Sequence, residues 1–137
     1  MSKTLNVCLD SNILVSAIGF GGKPLRVLEL ALKKEFLLIS SEHILTEVHR
    51  NLVSKLGFNP RDFTHFLEMI TEVAVLFSPT GLVSVASESA DNLVIETALM
   101  GYADVLVTGD RELVDLGKVG DLKIERTSVF LLRFKSA

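Results

Sequence analysis

The sequence predicts an α/β sandwich built around a parallel sheet. Apolar, strand-like runs alternate along the chain with stretches of helical periodicity. Two of those runs, Leu5–Asn6–Val7–Cys8–Leu9 and Val105–Leu106–Val107–Thr108–Gly109, are continuous enough to be buried strands, and each runs straight into an aspartate, Asp10 and Asp110. In open parallel sheets, ligands sit outside the carboxyl ends of the strands. A carboxylate at that edge of two strands therefore predicts one shared acidic site.

The elements follow in order. A first strand is expected over about residues 4–9, entered directly from Met1–Ser2–Lys3. A short helix follows Asn12, and a second carries Pro24 in its first turn, where a missing N–H costs nothing. The second strand is Phe36–Leu37–Leu38–Ile39. Ser40 or Ser41 caps a helix running to about Lys55, which Gly57 stops. Pro60 opens a helix bearing Phe63, Phe66, Leu67 and Ile70. A third strand covers Val73 to Phe77 and is closed by Pro79. After a loop, a helix runs from about Ser89 to Gly101, and a fourth strand spans Val105 to Thr108. A short helix from Arg111 to Leu116 ends at Gly117. Leu122 and Ile124 mark the last strand, and Thr127 or Ser128 caps a terminal helix with Val129, Phe130, Leu131 and Leu132.

The 137 residues fit a single domain, 1–137, with enough chain to bury a sizeable core. Nearly half of them are apolar, which excludes disorder. No run is long enough to span a membrane and no signal peptide is evident, so an intracellular, cytoplasmic protein is expected. The one cysteine, Cys8, lies inside a strand without a partner and reads as a core thiol. A net charge of −3 makes the whole chain no magnet for nucleic acid. Lys23, Arg26, Lys33, Lys34, Arg50, Lys55 and Arg61 each read as part of a solvated helix face, although as a group they suit a phosphate-tracking groove.

Two further acids join the strand-end pair. Projected at 3.6 residues per turn, Asp91 shares a face with Ile95, Ala98 and Tyr102, with Val94 beside them. A helix dipole explains an acid in the first turn but not one on the sheet-facing stripe. Glu47 sits at the edge of the stripe formed by Ile44, Leu45, Val48, Leu52 and Leu56. Taken alone it is an ordinary surface residue, and it gains weight only because its helix follows the second strand. Several converging carboxylates repel one another unless a hard divalent cation joins them, which points to Mg²⁺ or Mn²⁺. Such an ion activates water and neutralises charge on a phosphodiester. Asn12 and Thr108 are placed to orient the acids, and Ser11 either touches water or substrate or caps the following helix.

These residues carry a family resemblance. Leu9–Asp10–Ser11–Asn12–Ile13–Leu14 resembles the opening motif of PIN-domain nucleases. Thr46–Glu47–Val48 is similar to their second acidic motif, and Asp91–Asn92–Leu93–Val94–Ile95–Glu96–Thr97–Ala98 to their third. Ala103–Asp104–Val105–Leu106–Val107–Thr108–Gly109–Asp110 resembles the fourth, ending in Thr-x-Asp. Any one motif is weak, but four in order across nearly the whole chain are specific. Within the family, the chain looks most like the VapC-like toxins of toxin–antitoxin pairs.

The resemblance implies a PIN-like three-layer α/β/α sandwich with a central parallel sheet of about five strands. It implies metal coordination and catalysis by Asp10, Glu47, Asp91 and Asp110, supported by Ser11, Asn12 and Thr108. The activity it implies is a Mg²⁺- or Mn²⁺-dependent endoribonuclease. That enzyme hydrolyses RNA phosphodiester bonds by two-metal-type water activation, leaving a 5′-phosphate and a 3′-hydroxyl. Its implied partners are RNA, an antitoxin protein that fills the acidic pocket, and a second copy of the chain in a homodimer or higher homo-oligomer. The rival from another class is a catalytically silent PIN domain acting as an RNA-binding or protein-interaction module. Many relatives carry further aspartates just before the third motif, where this chain has Glu88–Ser89–Ala90; that puts an auxiliary ligand in doubt.

Other signals are set aside. Asp104 is common in this neighbourhood of the family but precedes the strand, so a loop role is expected. Glu96 points away from the Asp91 face and reads as structural. His43, His49 and His65 read as surface or edge residues. Phe63, Phe66 and Met69 suit either a dimer face or the core, with core preferred. Gly19–Phe20–Gly21–Gly22–Lys23–Pro24 lacks the ending of a P-loop and reads as a flexible connector. A dehalogenase-type phosphatase wants a second aspartate where Asn12 stands, and a response-regulator receiver wants an acidic pair and a late lysine that are not evident.

Overall fold

The computed structural model describes residues 4–134. Met1–Ser2–Lys3, read as the lead into the first strand, lies outside the described residues. Among the described residues, six strands form one sheet: β1 (Asn6–Leu9), β2 (Leu37–Ser41), β3 (Ala74–Phe77), β4 (Val105–Val107), β5 (Lys118–Val119) and β6 (Leu122–Glu125). Their spatial order is β3-β2-β1-β4-β6-β5. The pairings β1–β2, β2–β3, β1–β4 and β4–β6 are all parallel, and only β5 runs antiparallel, against β6. The sheet thus has the expected five parallel strands and one more. The addition is a two-residue strand in a hairpin turned by Gly120 at φ +59°. Lys118–Val119 is too short to show a period of two, so the sequence carries no signal for it.

Among the described residues, six α-helices connect the strands and a seventh follows the last: α1 (Ser11–Phe20), α2 (Gly22–Leu32), α3 (Glu42–His49), α4 (Pro60–Val73), α5 (Ser89–Met100), α6 (Arg111–Leu116) and α7 (Thr127–Phe130). Several boundaries differ from the sequence reading. Helix α1 begins at Ser11, because the Asp10 carboxylate caps it by accepting from the Ser11 N–H. The glycine segment is a tight joint and no flexible connector: Gly21 alone, at φ +80°, separates α1 from α2. Ser41 does cap α3, its hydroxyl accepting from the Ile44 N–H. The helix then continues in π geometry over Arg50–Lys55. The N-cap of α7 is Arg126, with Thr127 already helical, and a 3₁₀ turn over Leu131–Phe134 extends it.

The core strands are apolar on both faces because both faces are covered. Val7, Cys8 and Leu9 of β1 and Val105, Leu106 and Val107 of β4 are all buried. Helix α5 packs on β1, β2 and β4 through Val94, Ile95 and Ala98. Its C-terminus rests so closely on β2 that a Cβ at Gly101 would lie 2.5 Å from Ile39 Cγ2. Tyr102, expected on the same stripe, lies beyond the helix at φ +51° and is 85% exposed. Ile13, Leu14 and Ala17 of α1 and Val27, Leu28 and Ala31 of α2 complete the core. Phe36 meets Phe130 edge-on, with ring centroids 5.4 Å apart, and fastens α7 to the start of β2. Cys8 is a core thiol, as expected, and its burial pushes its pKa up. On α4, Phe63 and Ile70 face inward while Met69 is exposed. No described helix is long and apolar enough to cross a membrane.

Candidate active site

Strand order reverses between β1 and β4. From β1 the chain adds β2 and then β3 on one side, and β4 and β6 on the other. In open α/β sheets, such a switch point opens a crevice at the carboxyl ends of its two flanking strands. Asp10 leaves β1 there and Asp110 follows β4 there. Leu9 pairs with Val107, and the Asp10 N–H donates to the Val107 carbonyl at 3.0 Å.

Asp10 is 4% exposed and closely held. Its Oδ1 accepts from the Ser11 N–H at 2.7 Å. Its Oδ2 accepts from the Thr108 hydroxyl at 2.7 Å and from Asn12 Nδ2 at 3.1 Å. Thr108 is fully buried, and its Oγ1 in turn accepts from the Asp110 N–H at 3.0 Å. Asn12 ties the two strand ends together from the other side, its Oδ1 accepting from the Gly109 N–H at 3.1 Å. Asn12 and Thr108 therefore hold the Asp10 carboxylate and bridge to the end of β4, while Ser11 contacts Asp10 through its backbone N–H. Asp110 caps α6, accepting from the Glu112 N–H at 2.9 Å.

The other two acids arrive on helices. Asp91 lies in the first turn of α5, half-buried, and Glu47 lies half-buried on α3. Their charges are felt across the crevice. Burial raises the Asp10 pKa, and the charges of Glu47 and Asp110 raise it further, against the pull of its Thr108 and Ser11 hydrogen bonds. Asp91 is pushed up to about 6, first by burial and then by Asp110, Asp10, Glu112 and Glu88. The four acids named from the sequence thus share one electrostatic field.

Among the described residues, no three His, Cys, Asp or Glu side chains converge tightly enough to enclose a metal ion. That does not disqualify a small hard cation. Mg²⁺ keeps several of its waters and is commonly held by one or two carboxylates together with substrate phosphates. The donors here are carboxylate oxygens, and the raised proton affinity of Asp10 and Asp91, from burial and neighbouring acids, marks two anions without a compensating positive charge. The residues fit Mg²⁺ or Mn²⁺ on that chemistry.

Some neighbours have roles that the sequence reading did not find. The loop 78–88, which leads into α5, is pinned by three side chains. Glu96 accepts from the N–H groups of Thr80, Gly81 and Leu82 and from the Thr80 hydroxyl. These bonds, the Thr80 N–H first, hold its carboxyl below the usual range. Its structural reading thus acquires a specific task. Asn92 accepts from the N–H groups of Val85 and Ala86, and Glu112 accepts from the Ser87 N–H and hydroxyl. Asp104, at the far end of β4, accepts from the Asn6 N–H. Of the histidines, His49 and His65 are exposed, but His43 is half-buried with Nε2 3.3 Å from Glu47 Oε2. The i,i+4 spacing was the available signal for that contact. The seven basic residues singled out above are all exposed.

A sizeable groove lies elsewhere. It encloses about 600 Å³ beside α3, α4 and β3 and is lined by Leu45, Thr46, His49, Phe63, Leu67 and Phe77 among others. None of the four acids lines it. Its walls are mainly apolar, and the acids converge instead on the crevice at the switch point, which makes that crevice the better candidate.

Comparison with known proteins bears on the family and the fold. A PIN domain family model matches residues 6–112, a span that includes all four acids. The fold is similar to a crystal structure of VapBC2 from Rickettsia felis bound to a DNA fragment from their promoter. The TM-score is 0.62 at 18% sequence identity, and the match covers 89% of this chain and 98% of that one. At that identity the likeness speaks for the fold alone. No curated protein matches the sequence. With the family model spanning most of the chain, this protein belongs to the PIN domain family.

Proposed function

We propose that the protein is a Mg²⁺- or Mn²⁺-dependent endoribonuclease, the toxin of a toxin–antitoxin pair. The observation that carries the reading is the shared field of Asp10, Glu47, Asp91 and Asp110 at the switch point, with Thr108 joining Asp10 to Asp110. When bound, the cation supplies charge neutralisation on the phosphodiester and activation of the attacking water. The protein's own part is orientation. Ser11, Asn12 and Thr108 fix both oxygens of Asp10, leaving it little freedom to turn away from a cation. Asp110 is fixed by its capping bond to the Glu112 N–H. Asp91 and Glu47 add negative charge from α5 and α3, and the exposed lysines and arginines offer contacts along an RNA backbone.

Incubation of RNA with Mn²⁺, with and without EDTA, tests this reading against Asp10→Asn and Asp91→Asn. Cleavage by the wild type with Mn²⁺ alone, lost in EDTA and in both variants, is the expected result. Equal activity in all forms refutes the site assignment. The toxin role, an antitoxin partner and a cytoplasmic site of action follow from the resemblance to VapC-like toxins; the neighbour of shared fold is a VapBC2 complex, which accords with a protein partner of that kind. Self-association as a homodimer or higher homo-oligomer rests on the resemblance alone.

One observation favours a second reading. The acids do not form a compact three-ligand cluster among the described residues. A catalytically silent PIN domain, binding RNA or a protein without cleaving, accommodates that spacing. Calorimetric titration with Mn²⁺ separates the two: absence of divalent binding favours the silent module.

A further inference from the structure

Asp10 and Asp110 are each held by fixed donors, namely backbone N–H groups and the buried Thr108 hydroxyl. Glu47 has no such anchor. It projects from the middle of α3 on a side chain with three rotatable bonds, where no helix end offers it a donor. Its one polar contact among the described residues is His43, one turn earlier, with Nε2 at 3.3 Å from Oε2. That nitrogen is buried and has no hydrogen-bond partner as the side chains lie. A buried donor left unpaired is unfavourable, and the Glu47 carboxylate is the acceptor within reach.

We infer that His43 is a positioning residue: its Nε2–H holds Oε2 of Glu47, so that Oε1 is presented to a divalent cation in the acidic crevice. The inference rests on the metal-dependent reading above. At 3.3 Å the contact is only slightly longer than a usual N–H···O hydrogen bond. The imidazole is rigid and half-buried, so it selects one orientation of a side chain that otherwise samples several. Carboxylates that bind metals are themselves commonly hydrogen-bonded, and loss of the outer partner weakens the metal.

The test is calorimetric titration of the full chain with Mn²⁺ at a single pH, for the wild type, His43→Ala, His43→Asn and His43→Gln. Thermal melts check that each variant is folded. Glutamine places an amide N–H near the position of the imidazole Nε2, whereas asparagine is too short and alanine has no donor. The Mn²⁺ Kd should weaken about 10- to 100-fold in the alanine and asparagine variants and return close to the wild-type value with glutamine. Wild-type affinity in the alanine or asparagine variant overturns the inference, as does a glutamine variant as weak as alanine. Failure of the wild type itself to bind Mn²⁺ overturns the metal-dependent reading together with it, so the two failures are distinguishable.

Discussion

Replacing Asp91 by asparagine should make the metal-free protein more stable at neutral pH. The carboxyl is raised from its ordinary value of 3.8 to about 6 by burial and by Asp110, Asp10, Glu112 and Glu88. At about 1.4 kcal/mol per pH unit, the ionised form costs at most about 3 kcal/mol in the fold. Asp91 is in contact with solvent, so screening reduces that figure to roughly 1.5 kcal/mol. Asparagine also gives up the favourable charge in the first turn of α5, about 0.5 kcal/mol. The net gain is about 1 kcal/mol, or a rise in Tm of about 4 °C for a chain of this size. The sign follows from linkage. The folded carboxyl binds its proton more tightly than the unfolded one, so wild-type stability rises as pH falls through about 6 and levels off below 3.8. The advantage of the variant should therefore be present at pH 7 and nearly absent at pH 4. Scanning calorimetry in EDTA across that range reads it directly. Added Mn²⁺ should reverse the order at pH 7, because a ligand that binds the folded wild type more tightly stabilises it more. An asparagine variant that melts at or below the wild-type temperature in EDTA at every pH would refute the shared acidic field.

Two further predictions probe what surrounds that field. Thr108→Val keeps the shape but removes a donor to the Asp10 carboxylate and the acceptor of the Asp110 N–H. Urea unfolding should show a loss of about 2–4 kcal/mol, and a loss below about 0.5 kcal/mol would mean that Thr108 is not the link between the strand ends. Glu96→Gln replaces an anion that accepts from three backbone N–H groups and should loosen the loop 78–88. Amide exchange at Thr80, Gly81 and Leu82 should quicken selectively at pH 7. In the wild type the same change should appear only in acid, since a lowered carboxyl stabilises above its unfolded pKa and loses that contribution as pH falls through its folded value. Unchanged exchange at those three amides in the variant would remove the clamp from the argument.

The sequence made some of this site legible because local pattern and global position coincide there. A continuous apolar run ending in a carboxylate marks a buried strand and its acid, and Asp10 and Asp110 stand at such ends. Helical phase placed Asp91 with Ile95 and Ala98, which are fully buried, but it also enlisted Tyr102. Periodicity has no term for the turn after Gly101, where the chain enters left-handed geometry. The strand order that brings Asp10 beside Asp110 depends on Leu9 meeting Val107, a pairing of distant residues that no local window contains.

The harder distinction lies within α5 itself. Asp91 and Glu96 are acids on one helix, five residues apart, and residue type does not tell them apart. Glu96 is ringed by N–H groups of Thr80, Gly81 and Leu82 and is held below the usual range. Asp91 has no hydrogen-bond donor of its own among the described residues, and burial, together with the carboxylates around it, raises it to about 6. The first is an anion whose charge the fold already satisfies. The second is an anion whose charge the fold leaves for something else to satisfy. The donors that make the difference come from the loop that leads into the helix, 14 to 16 residues before Glu96, and their direction exists only once that loop has folded back onto the helix. A carboxylate stabilised by backbone N–H groups has little reason to bind a cation, whereas one destabilised by its neighbours gains by binding one. That contrast, more than any motif, is the physical ground for placing the chemistry at Asp91 and its partners and not at Glu96.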